Sequence, residues 1–241
     1  MMEKINRRFE KKKDTVQGMF DDIAPKYDFL NHFLSLGIDK LWRKKVRKIL
    51  EPLNPQYILD VAAGTADLSL VVSSLQPKEI KGVDISEEML KIGRRKVGAH
   101  GLSNMIELIQ ADAENLPFNN NYFDAVIVAF GVRNFENRNK GLREIFRVMK
   151  SNGIFIVLEF SKPISFPVKQ AYNFYFNYIL PFAGKLVSGN KTAYSYLPGT
   201  VNTFPCGKDF TDELVSAGFS VPSFHPLTFG IASIYTVRKI D

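Results

Sequence analysis

Ile58-Leu59-Asp60-Val61-Ala62-Ala63-Gly64-Thr65-Ala66-Asp67 is the stretch that decides the fold. Apolar, partly β-branched residues around Asp60 read as a short buried strand, and a run of small residues follows before a helical pattern begins. A small-residue turn between strand and helix lets the backbone approach a ligand closely, and Gly64 sits at its centre. The dinucleotide fingerprint G-x-G-x-x-G is not met, because Ala62 and Ala66 stand where that pattern demands glycine. Pyrophosphate is therefore disfavoured, and a ligand with a ribose and an amino-acid end suits the loop better.

Working outward, β-branched runs recur at Ile80 to Ile85, Met105 to Gln110, Ala125 to Ala129 and Ile154 to Glu159, with helical patterns between them. The clearest helix is Ser86 to Val97, where Ser86 is a candidate N-cap and Glu87 and Glu88 suit the positive end of the helix dipole. Alternating strands and helices predict an α/β fold with a mostly parallel sheet covered on both faces. After Glu159 an aromatic-rich insertion, 163–207, interrupts the pattern. A helix at about Asp209 to Ala217 and two strands, Phe219 to His225 and Gly230 to Arg238, then close the sheet with an antiparallel strand.

Residues 1–50 read as a helical cap and 51–241 as the sheet-bearing part of the same single domain. Leu41, Trp42, Val46, Ile49 and Leu50 recur at helical spacing, with Lys44, Lys45, Arg47 and Lys48 between them, which gives an amphipathic, basic helix. The chain of 241 residues is 45% hydrophobic, enough for one sizeable core. Its net charge of +7 permits contact with nucleic acid or an anionic lipid surface, although much of the excess is local to Lys11 to Lys13 and Lys40 to Lys48. Cys206 alone excludes an internal disulfide and a cysteine-based metal cluster. His32, His100 and His225 show no metal-ligand spacing, so no metal is expected. No run reaches the roughly 18 apolar residues of a membrane span, and Met1 to Asp14 is too charged for a signal peptide, so a cytoplasmic protein is expected.

Two further acids fall at strand ends. Asp84 ends the second strand, where an open α/β sheet places the carboxylate that accepts ribose hydroxyls. Asp112, in Ala111-Asp112-Ala113-Glu114-Asn115-Leu116-Pro117-Phe118, ends the third, where it would receive an adenine amino group. Each acid alone reads equally as a cap or turn residue. Together, in order and at strand ends, they mark one crevice.

These motifs resemble those of the class I S-adenosylmethionine methyltransferases, with a Rossmann-like sheet, and the resemblance implies that Thr65, Asp84, Asp112 and Ala113 touch that cofactor. The N-P-P-Y and D-P-P-Y stretches of many N-methyltransferases acting on nucleobase or amide nitrogens are missing, which weakens a nucleic-acid reading. Two flanking segments are more specific. Met19 to Asn31, continued by Leu34-Ser35 and Trp42-Arg43, and Phe130-Gly131-Val132-Arg133-Asn134, followed by Leu158-Glu159-Phe160-Ser161-Lys162-Pro163, resemble the menaquinone/ubiquinone biosynthesis C-methyltransferase family. Asp39 stands where many members have His, and Ser151-Asn152-Gly153 replaces their Pro-Gly-Gly turn.

The resemblance implies methyl transfer to a ring carbon of demethylmenaquinol, with the corresponding 2-polyprenyl-6-methoxybenzoquinol of ubiquinone biosynthesis as the alternative. A non-catalytic scaffold for other quinone-pathway enzymes is the alternative from a different class. A neutral hydroquinone carbon is a weak nucleophile, so the chemistry needs a base or a cation that stabilises the quinolate. Arg133 after the fourth strand is the candidate cation, with Asn134 beside it to hydrogen-bond an oxygen; its bland alternative is a salt bridge with a residue such as Glu136. Tyr27 and Asn31, one turn apart on a capping helix, are candidates for contact with quinol or cofactor. The expected partners are a polyprenyl quinol, the inner face of the cell membrane as a peripheral contact and a second copy of the chain, with no nucleic acid. The insertion, from Phe166 to Val187, is expected to form a lid that receives the prenyl tail.

Overall fold

The computed structural model describes residues 14–25, 27–28, 32, 35, 37–179 and 199–240. Asn31 and the chain from Leu180 to Val187 lie outside the described residues. Five parallel strands carry the fold: β1 (Tyr57–Val61), β2 (Glu79–Asp84), β3 (Ile106–Gln110), β4 (Phe123–Ala129) and β5 (Met149–Phe160). The hairpin β6 (Ser220–Leu227) and β7 (Ala232–Arg238) completes a seven-stranded sheet of order β3-β2-β1-β4-β5-β7-β6. Only β7 runs against its neighbours, and it sits between β5 and β6, so the expected closing strand lies one place inside the edge.

Successive side chains on a strand point to opposite faces, and here both faces are covered. Ile58, Ile80, Ile127 and Ile156 face a layer made by α2 (Ile38–Leu50), α3 (Asp67–Val72) and α4 (Glu87–Ala99). Leu59, Val126, Phe155 and Tyr235 face α5 (Arg138–Val148) and α7 (Lys208–Ser216). Ser86 caps α4 as its sequence predicts, its Oγ accepting from the Met89 N–H at 3.2 Å, with Glu87 and Glu88 in the first turn. The stripe that α2 buries is Trp42, Val46 and Leu50, at i, i+4 and i+8. Leu41 does not join it as its spacing suggested: it lies about 100° round the helix from Trp42, and its side chain is exposed.

Connections fix where a ligand sits. β1 and β2 are neighbours, as are β2 and β3, whereas β4 returns to the other side of β1. The strand order reverses at β1 and β4, and the crevice outside their carboxyl ends is the natural binding place in such a sheet. Gly131, just past β4, is required there: a Cβ on it would lie 2.5 Å from the Ala62 Cβ of the turn after β1. The first cap helix, α1 (residues 14–25), lies over this end of the sheet, where Val16 and Phe20 line the crevice. Within the insertion, α6 (Val168–Phe174) continues into a π-helical turn, Tyr175–Ile179, and packs Tyr172 near Phe160 and Ile231.

Candidate active site

The turn after β1 takes the conformation its small residues allow: Ala62, Gly64 and Ala66 all have positive φ, at 56°, 54° and 67°. With the ends of β2, β3 and β4 it walls a cleft that opens to solvent. Gly64, Asp84, Asp112, Ala113, Asn134 and Tyr27 line it, so most of the residues singled out in the sequence converge on one place. Phe130, Phe135 and Glu136 supply the wall after β4.

Asp84 is the best-defined group. Its Oδ2 accepts the Gly64 N–H at 2.8 Å and its Oδ1 the Ser86 N–H at 2.9 Å, so the carboxylate orders both loops that meet over β1 and β2. Burial pushes its pKa up, while the backbone N–H groups of Ser86, Gly64 and Ile85 pull it down without cancelling that rise. Asp112 forms a local turn, accepting the Glu114 N–H at 2.9 Å.

Thr65 is not on the cleft wall among the described contacts. Its hydroxyl donates to Asp28 Oδ1 at 2.5 Å and accepts from Lys96 Nζ at 3.2 Å. Lys96 also binds Asp28 Oδ2, at 3.0 Å, and Asp67 Oδ1. Beside this lies a second set: Asp39 receives Ser35 Oγ at 2.6 Å and Arg43 Nη1, and pairs with His32 Nδ1 at 2.8 Å. Burial works to raise the Asp39 pKa, but the Ser35 hydrogen bond and the Arg43 guanidinium prevail and hold it low. His32, Asp39 and Asp67 bring candidate ligand atoms within 4.8 Å of one another, and Arg43 and Lys96 already supply cations to both carboxylates. No pattern in the sequence announced this clasp of cap, turn and α4, although Asp28, Asp39 and Arg43 each fell in or beside the segments that carried the resemblance.

Arg133 follows β4 as expected, but its side chain turns away from the cleft. Nη1 donates to Phe130 O and to Glu159 Oε1, both at 2.6 Å, and the guanidinium lies 5.4 Å from the centre of the Phe160 ring. The ion pair is with Glu159 of β5, fully buried, and not with Glu136. Glu159 further accepts the Phe160 N–H at 2.8 Å. Arg133 Nε is buried with no hydrogen-bond partner among the described residues.

Behind the turn, Asp60 of β1 is fully buried and accepts Ser69 Oγ at 2.6 Å. Desolvation pushes its pKa up to about 7 against the Ser69 hydrogen bonds.

Comparison with known proteins fits this geometry. Residues 8–239 match the ubiE/COQ5 methyltransferase family. The demethylmenaquinone methyltransferase of Bacteroides fragilis is 47% identical over 95% of this chain and 94% of its own length. The ubiquinone/menaquinone biosynthesis C-methyltransferase UbiE of Geotalea daltonii is 42% identical over 96% of this chain and 99% of its own. Among solved structures, a putative S-adenosylmethionine-dependent methyltransferase from Methanococcus maripaludis shares the fold with a TM-score of 0.65 at 19% identity, covering 92% of this chain and 94% of that one. With a seven-stranded sheet of this order, a cleft at its reversal point and relatives aligned end to end, the chain belongs to the ubiE/COQ5 methyltransferase family.

Proposed function

We propose that this methyltransferase carries the methyl group of S-adenosylmethionine to a ring carbon of demethylmenaquinol, giving menaquinol. The observation that carries the reading is the end-to-end similarity to a demethylmenaquinone methyltransferase, in a chain whose cleft gathers the acids such a reaction needs. The cofactor supplies an electrophilic methyl group on a sulfonium sulfur. The residues present fit it: Asp84 is a half-buried carboxylate on the cleft wall whose charged form gains from further donors, which ribose hydroxyls provide. Asp112 and Ala113 take the adenine end, and Gly64 leaves room for the amino-acid end. Thr65 contributes by ordering the turn through Asp28 and Lys96.

On the acceptor side, Asn134 and Tyr27 face the cleft and offer hydrogen bonds to a quinol oxygen. Arg133 acts from behind the wall made by Phe130, and because Glu159 matches its charge, what it offers a forming quinolate is the guanidinium end of a fixed dipole. The exposed aromatic side chains of α6 and the turn after it, Phe174 and Tyr178, form the described part of a lid over the prenyl tail. The tail makes the inner face of the cell membrane the place of encounter.

A second reading, the same transfer to 2-polyprenyl-6-methoxybenzoquinol, is favoured by the relative named for both quinones. Mass spectrometry of quinones from cells lacking the protein tests both. Accumulated demethylmenaquinone supports the first reading and accumulated methoxybenzoquinone precursor the second. Unchanged quinones would sink both.

A further inference from the structure

The turn joining β6 to β7 holds a large aromatic ring in solvent at a conformational cost. Thr228, Phe229 and Gly230 have consecutive positive φ values of 47°, 58° and 91°. A bulky residue in the left-handed region is an outlier, normally tolerated where packing repays it. Phe229 has no such return, being 79% exposed.

The turn is nevertheless well anchored. Trp42 Nε1 donates to Thr228 Oγ1 at 2.8 Å, and Ser161 Oγ donates to Gly230 O at 2.8 Å. The backbone of Pro163 lies 3.5 Å from where a Gly230 Cβ would stand. Beyond Pro163 come Ile164 and Phe166, 88% and 80% exposed. The helix that carries Trp42, α2, exposes Leu41 together with Lys40, Lys44, Lys45 and Lys48. Single exposed apolar residues are ordinary. Here bulky ones come from three neighbouring elements, grouped around one buried tryptophan and bordered by lysines.

We propose that Leu41, Ile164, Phe166 and Phe229, with the lysines of α2, form a docking surface for an anionic lipid bilayer. Apolar side chains on loop tips reach the acyl boundary, while lysines meet anionic headgroups. The charge favours lipid over a second copy of this chain, whose own lysines would be brought face to face with these across a twofold interface. The place also suits the substrate, so the proposal deepens the quinol reading and rests on it for its purpose. Phe130, on the cleft wall, stacks on Phe160 at 4.5 Å, and Phe160 meets Trp42 at 6.2 Å, so aromatic rings run from the cleft to the foot of the exposed turn.

The test is flotation of the full chain with vesicles of phosphatidylcholine alone or with about a third phosphatidylglycerol. Wild type should float with the anionic vesicles and lose binding steeply as salt rises. Phe229→Asn with Ile164→Asn should weaken binding by about tenfold or more, as should Lys44→Glu with Lys45→Glu and Lys48→Glu. Asn suits positive φ, so Phe229→Asn should not lower Tm, which removes misfolding as an explanation. Wild type indifferent to anionic vesicles, or Asn variants that float like wild type, would overturn the proposal. So would a dimer in sedimentation velocity that the Asn variants dissociate, since the surface would then be covered by a second copy. Turnover of a tail-free naphthoquinol without lipid separates the two readings. Normal turnover with no vesicle binding sinks only the docking surface, and no turnover on any quinol sinks the function.

Discussion

Asp60 shows how much a single buried carboxylate can shape the response to pH. Its folded pKa of about 7 lies above the value of about 3.9 for an unfolded aspartate. The folded state therefore holds this proton more tightly, and the stability associated with it is full below pH 4, falls as pH rises from about 4 to 7 and is lost above. Asp60→Asn keeps the shape and removes the charge. It should be more stable than wild type by a few kcal/mol at pH 8.5, with the advantage shrinking toward pH 5, as urea unfolding at the two pH values would read. An advantage that does not change with pH would show that Asp60 is charged throughout. Arg133 and Glu159 set a different residue-scale problem, because removing one partner of a buried pair strands the other at a cost of about 3–5 kcal/mol. The double variant Arg133→Met with Glu159→Leu avoids this and should stay within about 2 kcal/mol of wild-type stability. If the guanidinium end of this pair favours the quinolate, kcat of the double variant falls on the order of tenfold or more while affinity for S-adenosylhomocysteine, read by calorimetry, barely moves. Near-normal turnover would return the pair to a structural role.

Among elements, the clasp through Lys96 ties α4 to two pieces of chain far from it in sequence: the cap at Asp28, and the turn after β1 with the start of α3, at Thr65 and Asp67. The charged side chains among them are a fifth to a third exposed, so Lys96→Met should cost only about 1 kcal/mol of stability. Its larger effect should be kinetic, because the cap is held to the cleft by a second tie, Ser86 Oγ at the start of α4 donating to Asp21 of α1 at 2.5 Å. Loosening one of the two ties should speed release of S-adenosylhomocysteine several-fold in stopped-flow; an unchanged release rate would show that the cap does not gate the cleft. The strands, their order along the chain and the acids at their ends were legible in the sequence, because period-2 apolar runs and the residues just past them are local signals. The partners of Thr65 and Arg133 were not. Glu159 is 26 residues from Arg133 and meets it only because β5 pairs in register with β4, whereas the guess Glu136 was merely close in sequence. Leu41 fitted a helical stripe by spacing, but which side of that stripe is buried depends on where the sheet lies.

For the molecule as a whole, the described surface places the exposed side chains of α6 and its π-helical turn beyond Tyr172, which packs near Phe160 and Ile231. If these side chains cover a prenyl tail, wild-type kcat/KM should rise from a tail-free naphthoquinol to short-prenyl demethylmenaquinols, since each buried CH₂ contributes about 0.8 kcal/mol before the cost of ordering the tail. Phe174→Ser should erase that dependence and spare the tail-free substrate. Equal losses on every substrate would make the segment ordinary core.

The position of Trp42 gives the protein a property of its own. It is the chain's single tryptophan, its indole N–H held by Thr228 and its ring 6.1 Å from Phe130. All indole fluorescence therefore originates where the cleft wall meets the exposed turn. Unlabelled protein carries a built-in optical probe, whose emission wavelength and quenching should respond to a ligand pressing on Phe130 from one side and to lipid reaching the turn from the other.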